Sequence, residues 1–349
     1  MKSPSPVLRP LGKNGPLVPR IGFGTMGMGF PCSCLTAPIP DPERLALLDR
    51  AYELGCTFWD TSDVYGDAEV IIGKWLALNP EKRKDIFLAT KFGGVQLPTG
   101  FGFRGDAAYV PIACEQSVER LGVETIDLWY PHRLDGSTPV EHIVAEMVKL
   151  KEQGKIRHIG LSEVSSATLR RAHAVHPIAC VQMEYSAFST EIESPEYNLL
   201  ATCRELGGPD DFGEGDIRRF YPRFSRENFP KNMKLVGAIK ELATKKGVTV
   251  GQAALAWLLS QGDDIFPIPG KNRTITCKYI EENFGAMHIE LTPEESQHIR
   301  DLVVKASVFG DRWPVEHQLG LFADTPLPED WKEEKRDLTV LGHFIIDRK

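Results

Sequence analysis

Short apolar runs of strand length alternate with helical segments along the first 206 residues of the chain. The apolar runs lie at 21–26, 57–60, 86–90, 126–130, 156–161 and 179–184. From the spacing of their apolar residues, helices are predicted at 42–54, 68–78, 112–121, 140–152, 165–174 and 195–206. Continuous apolar strands separated by helices are typical of a parallel sheet that is covered by helices. The sequence therefore predicts an α/β fold.

Polar residues stand where several of these apolar runs end, and their spacing favours one α/β architecture. Asp60, Lys91 and His132 follow successive strands at intervals of about one strand–helix unit. This arrangement predicts a closed (α/β)8 TIM barrel. The alternative is an open doubly wound sheet, whose dinucleotide-binding glycines would follow the first strand. The segments 22–27 and 100–105 match G-x-G-x-x-G, but neither is predicted to open a helix directly, so both are interpreted as loops.

The alternation of strands and helices stops after Gly207. No apolar run of strand length occurs before the helices predicted at 234–246 and 250–259, and the next strand candidate is 264–269. The barrel is therefore predicted to lack its seventh strand and the loop that follows it. We predict a barrel domain over residues 8–325 and a C-terminal extension over 326–349.

The composition and the net charge limit the classes of molecule that this chain is expected to bind. The chain has 349 residues, of which 42% are hydrophobic and 26% charged, as in soluble globular proteins. The net charge of −7 and the absence of a basic stripe argue against nucleic acids and anionic membranes as partners. No signal-like segment and no apolar run of about 18 residues is found. Seven scattered cysteines are interpreted as reduced thiols of a cytoplasmic protein without a metal site.

Asp60, Tyr65, Lys91 and His132 together suit one kind of chemistry. A carbonyl group accepts hydride more easily when an acid donates a hydrogen bond to its oxygen. Tyr65 can be that acid, Lys91 can stabilise the phenolate, and Asp60 can keep a buried Lys91 charged. An imidazole such as His132 can orient the carbonyl, whereas the hydride has to come from a cofactor.

Each of these four residues also has a structural interpretation. A lone tyrosine is more often a half-buried aromatic residue, and a lone lysine after a strand is more often solvated or ion-paired. Asp60 alone would be interpreted as a cap or turn residue. The catalytic interpretation depends on all four standing at the strand ends of one barrel face.

The segments around these residues resemble the aldo-keto reductase family, and in particular its pyridoxal-reductase-like, NADP-dependent branch. The similar segments are Trp59–Gly66, Ala89–Gly93, Asp127–Arg133, Gly160–Glu163, Val181–Ser186 and Ile268–Gly270. The resemblance covers roughly residues 8–325. It implies a barrel that binds NADPH over the carboxyl ends of its strands, with Tyr65 as the general acid. It also implies that Lys91 lowers the pKa of Tyr65, that Asp60 pairs with Lys91 and that His132 orients the substrate.

The resemblance further implies a set of cofactor-binding residues. Ser162 and Gln182 match residues that hold the nicotinamide carboxamide, and Lys271 and Arg273 match residues that bind the adenosine 2′-phosphate. Glu282 and Asn283 would lie near the adenine. The chain departs from the family at Glu163, where asparagine is common, and after Gly207.

The favoured hypothesis is a cytoplasmic, NADPH-dependent reductase of small or medium aldehydes and ketones, with a small-molecule carbonyl substrate. Two alternatives stay open at this point. The chain could be a non-catalytic or regulatory barrel of the same family. It could also be a truncated, inactive variant, because a missing central strand would expose backbone groups of both neighbouring strands.

Overall fold

The computed structural model describes residues 5–12, 15–29, 39–97, 100–206, 210–212, 227–270, 276–306, 308–312, 318 and 320–332. Its main feature is a parallel sheet of eight strands in which each strand pairs with its neighbours in chain order. The strands of this sheet are two to seven residues long. They are β3 (Phe23–Gly24), β4 (Phe58–Asp60), β5 (Phe87–Phe92), β8 (Ile126–Pro131), β9 (Ile156–Ser162), β10 (Cys180–Met183), β11 (Asp210–Phe212) and β12 (Ile265–Pro267).

Backbone hydrogen bonds join the first and last strands of this sheet. Gly22 N–H donates to the carbonyl of Pro267 over 2.9 Å, and Gly24 N–H donates to that of Pro269 over 3.3 Å. With the parallel pairs between consecutive strands, these bonds close the sheet into a barrel. The predicted (α/β)8 barrel is therefore confirmed.

The sequence prediction of a missing seventh strand is wrong. Strand β11 pairs in parallel with β10, where Val181 lies opposite Asp210, and with β12, where Asp210 lies opposite Ile265. A ladder requires backbone N–H and C=O groups rather than apolar side chains, so a strand of three residues that includes two aspartates was not visible as an apolar run. The loop expected to be lost with this strand falls on 213–226, outside the described residues.

In the part of the chain that the structure describes, two antiparallel hairpins lie outside the barrel sheet. The first pairs β1 (Leu8–Pro10) with β2 (Leu17–Pro19), and the second pairs β6 (Gly94–Leu97) with β7 (Gly100–Phe103). The second G-x-G-x-x-G match thus begins in a strand, which corrects its interpretation as a loop. The first match, 22–27, contains β3 and the first two residues of one helical turn, α1 (Met26–Gly29), so its interpretation as a loop is wrong as well.

Within the described residues, ten further α-helices connect the strands and cover them. They are α2 (Asp41–Glu53), α3 (Ala68–Leu78), α4 (Tyr109–Leu121), α5 (Val140–Glu152), α6 (Ser166–Val175), α7 (Leu199–Leu206), α8 (Phe229–Lys246), α9 (Val250–Leu259), α10 (Cys277–Gly285) and α11 (Pro293–Ala306). Among these described helices, none is long and apolar enough to cross a bilayer.

Local signals in the sequence explain where several helices begin and end. The Ser165 side chain accepts a hydrogen bond from the Thr168 N–H at the start of α6, and Thr249 forms a reciprocal capping box with Gln252 before α9. Helix α4 ends at Gly122 with φ 62°, a left-handed conformation that glycine adopts without steric penalty.

The barrel interior is filled by side chains from alternate positions of the strands. Its buried cluster consists of Leu11, Val18, Phe58, Ala89, Leu128, Tyr130, Cys180, Phe266 and Ile268. Leu11 and Val18 come from the hairpin β1–β2, which places it against one end of the barrel. Because alternate residues of a strand share a face, Asp60 and Lys91 point inward above Phe58 and Ala89. The barrel core therefore orients these polar groups toward the opposite end.

Candidate functional site

Four predicted residues meet at the carboxyl ends of three neighbouring strands. Asp60 is the last residue of β4, Lys91 lies near the end of β5, and His132 directly follows β8. The His132 N–H donates to the carbonyl of Phe92 over 2.7 Å, which fixes the start of this loop. Tyr65 lies in the loop between β4 and α3. The structure thus brings together all four residues that the sequence placed at one face of a barrel.

Lys91 and Asp60 form a buried ion pair. The Nζ atom of Lys91 lies 2.5 Å from Oδ1 of Asp60 and 2.9 Å from the Thr61 carbonyl oxygen. The Lys91 side chain has no exposed surface, and that of Asp60 is 3% exposed. Oδ2 of Asp60 accepts a hydrogen bond from Nε2 of Gln182 over 3.0 Å. Both carboxylate oxygens are therefore engaged inside the protein.

Lys91 also faces Tyr65, with Nζ 5.1 Å from the centre of the tyrosine ring. Burial lowers the pKa of Lys91, but attraction to Asp60 and Tyr65 outweighs burial, so the pKa is raised and the ammonium persists. Burial raises the pKa of Tyr65 above 10, and Asp60 adds to this, while Lys91 opposes both. The lowering by Lys91 that the sequence predicted is present but smaller than the effect of burial. Tyr65 is therefore a phenol at neutral pH and can donate a proton.

His132 packs against Tyr65 with its ring edge-on, at 5.6 Å between ring centres and an angle of 82°. Burial, together with the positive charges of Lys91 and Arg133, lowers the pKa of His132 well below 6.5. The imidazole is therefore neutral over the usual working range of pH. Its Nδ1 atom lies 2.8 Å from Oγ of Ser62, a residue that sequence reasoning did not single out.

Ser162 and Gln182 lie opposite each other in the β9–β10 ladder, next to this cluster. Oγ of Ser162 is 3.3 Å from Nη1 of Arg133, which also donates to the carbonyl of His132 over 2.8 Å. Ser162 is 2% exposed and Gln182 is 7% exposed. Arg133, to which the sequence analysis assigned no role, therefore connects the His132 loop to Ser162, one of the two predicted carboxamide-binding residues.

Glu163 is held by Arg312, which belongs to the C-terminal segment, defined as residues 308–312 and 320–325. Its carboxylate accepts hydrogen bonds from both terminal nitrogens of Arg312, and the bond from Nη1 is 3.1 Å long. Nε of Arg312 donates a hydrogen bond to the carboxylate of Glu184. Burial would lower the pKa of Arg312, but these two carboxylates raise it. Glu163 adopts φ 54°, a left-handed conformation that is uncommon outside glycine and asparagine. The ion pair thus holds a strained residue directly after Ser162.

Of the predicted adenosine-binding residues, Glu282 and Asn283 lie on helix α10. An open cleft is bordered by β3, the residues that follow β12 and helix α10, with Gly22, Gly270, Tyr279 and Asn283 in its lining. Glu282 is not in the lining, and its Oε1 atom accepts a hydrogen bond from Thr249 over 2.6 Å. Lys271 and Arg273 follow Gly270 in the sequence but lie outside the described residues.

The arrangement can hold a dinucleotide and reduce a carbonyl group. Ser162 and Gln182 offer buried polar atoms at one end of the site, and Asn283 borders a cleft beside Gly270 at the other. A Cβ atom on Gly24 would lie 2.7 Å from the Ile268 carbonyl oxygen, so this backbone approach near the cleft requires glycine. Within the described part of the chain, no cluster of three metal-ligating side chains is found.

Comparisons with known proteins agree with this geometry. The profile of the Aldo/keto reductase family matches residues 20–304. The chain is 46% identical to the "Aldo-keto reductase yakc [NADP(+)]" of Schizosaccharomyces pombe, over 88% of this chain and 95% of that protein. It is also 46% identical to the "Aldo-keto reductase str7" of Strobilurus tenacellus, over 85% of this chain and 92% of that protein.

Two solved structures share the fold over nearly their whole length. A glycerol dehydrogenase from Gluconobacter oxydans superimposes with a TM-score of 0.75 at 25% identity, covering 87% of this chain and 97% of its own. A thermostable aldo-keto reductase in complex with the inhibitor epalrestat superimposes with a TM-score of 0.70 at 28% identity, covering 85% of this chain and 99% of its own.

Proposed function

The chain belongs to the aldo/keto reductase family, and on this premise we propose that it reduces aldehydes or ketones to alcohols with NADPH. The observation that carries the proposal is the cluster of Asp60, Tyr65, Lys91 and His132 at one end of a closed barrel. Bound NADPH would supply the hydride. The side chains of the cluster supply everything else that the reduction requires.

Tyr65 donates the proton to the carbonyl oxygen in this proposal. Its phenol is protonated at neutral pH, and burial raises its pKa further. As negative charge develops on the substrate oxygen, the Lys91 ammonium stabilises the phenolate that proton transfer leaves behind. Asp60 keeps the buried Lys91 charged and fixed in position. His132, being neutral, can donate a hydrogen bond to the same oxygen without acting as a competing base.

The cofactor-binding roles are proposed residue by residue. Ser162 and Gln182 would hold the carboxamide of the nicotinamide, since both lie beside Asp60 and Arg133 at the strand ends. Asn283 would contact the adenine in the cleft between β12 and α10, with Glu282 beside it supporting that helix. Lys271 and Arg273 would bind the 2′-phosphate, because arginine and lysine suit phosphate recognition.

The proposed domain is the barrel over residues 8–325, with 326–349 as a C-terminal extension, and the proposed location is the cytoplasm. Two hydrogen bonds support a domain that reaches residue 325: Ala323 N–H donates to the carbonyl of Glu163 over 2.8 Å, and Val140 N–H donates to Oγ1 of Thr325 over 3.1 Å. The segment just before 326 is therefore attached to the barrel end that carries the site.

Oxidation of NADPH by the purified protein, measured against a panel of aldehydes and ketones, tests the proposed reaction. We expect turnover with activated aldehydes and a lower KM for NADPH than for NADH. Saturable NADPH binding without turnover of any panel member would contradict the reductase and favour the non-catalytic alternative.

A further inference from the structure

Ser62 is placed to control which nitrogen of His132 carries the proton. Its hydroxyl lies 2.8 Å from Nδ1 of His132, 3.2 Å from Oδ1 of Asp63 and 3.5 Å from the carbonyl oxygen of Lys91. A serine hydroxyl has a single proton to donate. His132, Asp63 and the Lys91 carbonyl therefore compete for that proton, and His132 is the nearest acceptor.

The direction of the Ser62–His132 hydrogen bond fixes the histidine tautomer. A neutral imidazole carries its proton on one nitrogen only. If the Ser62 hydroxyl donates to Nδ1, the proton of the ring lies on Nε2. Among the described residues, none forms a hydrogen bond with Nε2 of His132, whose ring stands edge-on to the Tyr65 ring. The Nε2–H group is then able to donate to a substrate oxygen.

We propose that Ser62 is a positioning residue that holds His132 in the Nε2–H tautomer, and that Asp63 determines how firmly it does so. The proposal rests on the proposed function, in which His132 donates a hydrogen bond to the carbonyl oxygen. Ser62 itself does not touch the reacting atoms. It acts through His132. Within the described structure, Asp63 is the residue with a titratable carboxyl group at hydrogen-bond distance from Ser62.

Asp63 is anchored beside the site and is sensitive to pH. Its Oδ2 atom accepts the Gly93 N–H over 3.0 Å, which holds the carboxyl group against the end of β5. Burial raises the pKa of Asp63 to about 7, and the Glu69 carboxylate adds to this, while Arg120 and the hydrogen bonds from Gly93 and Ser62 oppose it.

The other charged or titratable groups around this pair come from neighbouring elements. Burial and the positive charges of Lys91 and Arg133 lower the pKa of His132. Burial and the Asp63 carboxylate raise the pKa of Tyr109, which lies on α4. None of them competes for the Ser62 proton as directly as Asp63, whose Oδ1 atom lies within hydrogen-bond distance of the hydroxyl.

The protonation state of Asp63 then selects the tautomer. A protonated Asp63 is a weak acceptor, so the Ser62 proton points to Nδ1 of His132 and Nε2 keeps its hydrogen. An ionised Asp63 attracts the Ser62 proton, and Oγ of Ser62 becomes an acceptor for an Nδ1–H group. The ring proton moves from Nε2 to Nδ1 by exchange with solvent, without a change in the charge of the ring. Nε2 would then present a lone pair to the substrate oxygen.

Nitrogen-15 NMR of the full-length protein tests this assignment without substrate, with His132→Gln used to assign the signal. We expect wild-type His132 to be the Nε2–H tautomer at pH 6 and to shift toward Nδ1–H at pH 9. Ser62→Ala should give a mixture that does not depend on pH, and Asp63→Asn should keep Nε2–H at both pH values. A wild-type tautomer that Ser62→Ala leaves unchanged would overturn the proposal.

Kinetics separates failure of this proposal from failure of the proposed function. We expect Ser62→Ala to lower kcat/KM for the carbonyl substrate about tenfold, as for the loss of one oriented hydrogen bond. NADPH affinity should stay unchanged. In the wild type kcat/KM should fall as pH rises through about 7, and Asp63→Asn should remove that fall.

A folded Ser62→Ala with wild-type kcat/KM at every pH would refute the role of Ser62 even in an active reductase. If the wild type reduces no carbonyl compound, the proposed function fails, and the NMR result stands independently.

Discussion

The ammonium of Lys91 lies 2.5 Å from a carboxylate oxygen of Asp60, and both side chains are sealed from solvent by the barrel. Removing two charges from water costs several kcal/mol for each ion, which their attraction only partly offsets. A pair of well-packed apolar side chains could fill the same space without that cost. We therefore attribute the pair to function: it keeps a positive charge beside Tyr65.

Lys91→Met tests this interpretation of the pair. The change leaves Asp60 buried without its cation, and we expect the free energy of unfolding to fall by about 3–5 kcal/mol. The double variant Asp60→Asn/Lys91→Met should recover most of the lost free energy of unfolding, because neither side chain is then charged. It should nevertheless stay inactive. Chemical denaturation measures the first effect and NADPH oxidation the second. Lys149→Met, which removes an exposed pair with Glu146, is the control and should cost less than about 1 kcal/mol.

Arg312→Met should destabilise the barrel for a related reason. It leaves the buried Glu163 without its main partner and removes the ion pair with Glu184, so we expect a loss of about 3 kcal/mol in the free energy of unfolding. Arg170→Met, which breaks the exposed pair with Glu205, is the matched control and should leave the free energy of unfolding nearly unchanged. Equal effects of the two substitutions would show that Arg312 does not anchor the C-terminal segment to the site.

The neutral state of His132 should appear in the pH dependence of stability. The unfolded chain binds a proton at this residue below about pH 6.5, whereas the folded protein does not, because burial, Lys91 and Arg133 lower the pKa of His132. This residue therefore contributes stability above pH 6.5 that is lost as the pH falls. The loss reaches at most about 1.4 kcal/mol per pH unit. Denaturation between pH 7 and pH 5 should give a shallower dependence of stability on pH for His132→Gln than for the wild type. Identical slopes for wild type and His132→Gln would contradict a buried neutral imidazole.

Asn283→Ala should weaken NADPH binding without affecting the chemistry. Asn283 lines the cleft between β12 and α10. It is far from Asp60 and Lys91 in the sequence and makes no hydrogen bond with either of them among the described contacts. We expect about a tenfold increase in the Kd for NADPH, as for the loss of one polar contact, and an unchanged kcat at saturation. Asn79→Ala, at the end of α3, is the control. A variant with unchanged Kd and reduced kcat would place Asn283 in a different role.

Local sequence patterns predicted much of the barrel. The helices at 68–78, 140–152 and 250–259 have the bounds that apolar periodicity indicated, because each buries one face against the sheet. Strand β11 escaped prediction because three residues are too few to show an apolar period, and its pairing depends on β10 and β12. Helices α10 and α11 were also missed, since their apolar stripes are interrupted by many polar residues.

The site could be predicted only in part for a different reason. Asp60, Lys91 and His132 were found because a parallel barrel gathers the carboxyl ends of its strands at one face. The contacts of Ser62 with His132 and of Glu163 with Arg312 span 70 and 149 positions of the chain. No local pattern encodes such distances. They follow from how the loops and the C-terminal segment pack on the closed barrel.

Tyr65→Phe gives the most direct test of the central claim, that Tyr65 supplies the proton. Single-turnover reduction of an activated aldehyde by the NADPH-loaded protein should be slower than in the wild type by about 100-fold or more, as for the loss of a general acid. NADPH affinity and the melting temperature should stay close to those of the wild type. Tyr52→Phe, which removes a surface hydroxyl bonded to Asp85, should leave the rate unchanged. A folded Tyr65→Phe protein that reduces the aldehyde at the wild-type rate would contradict the account.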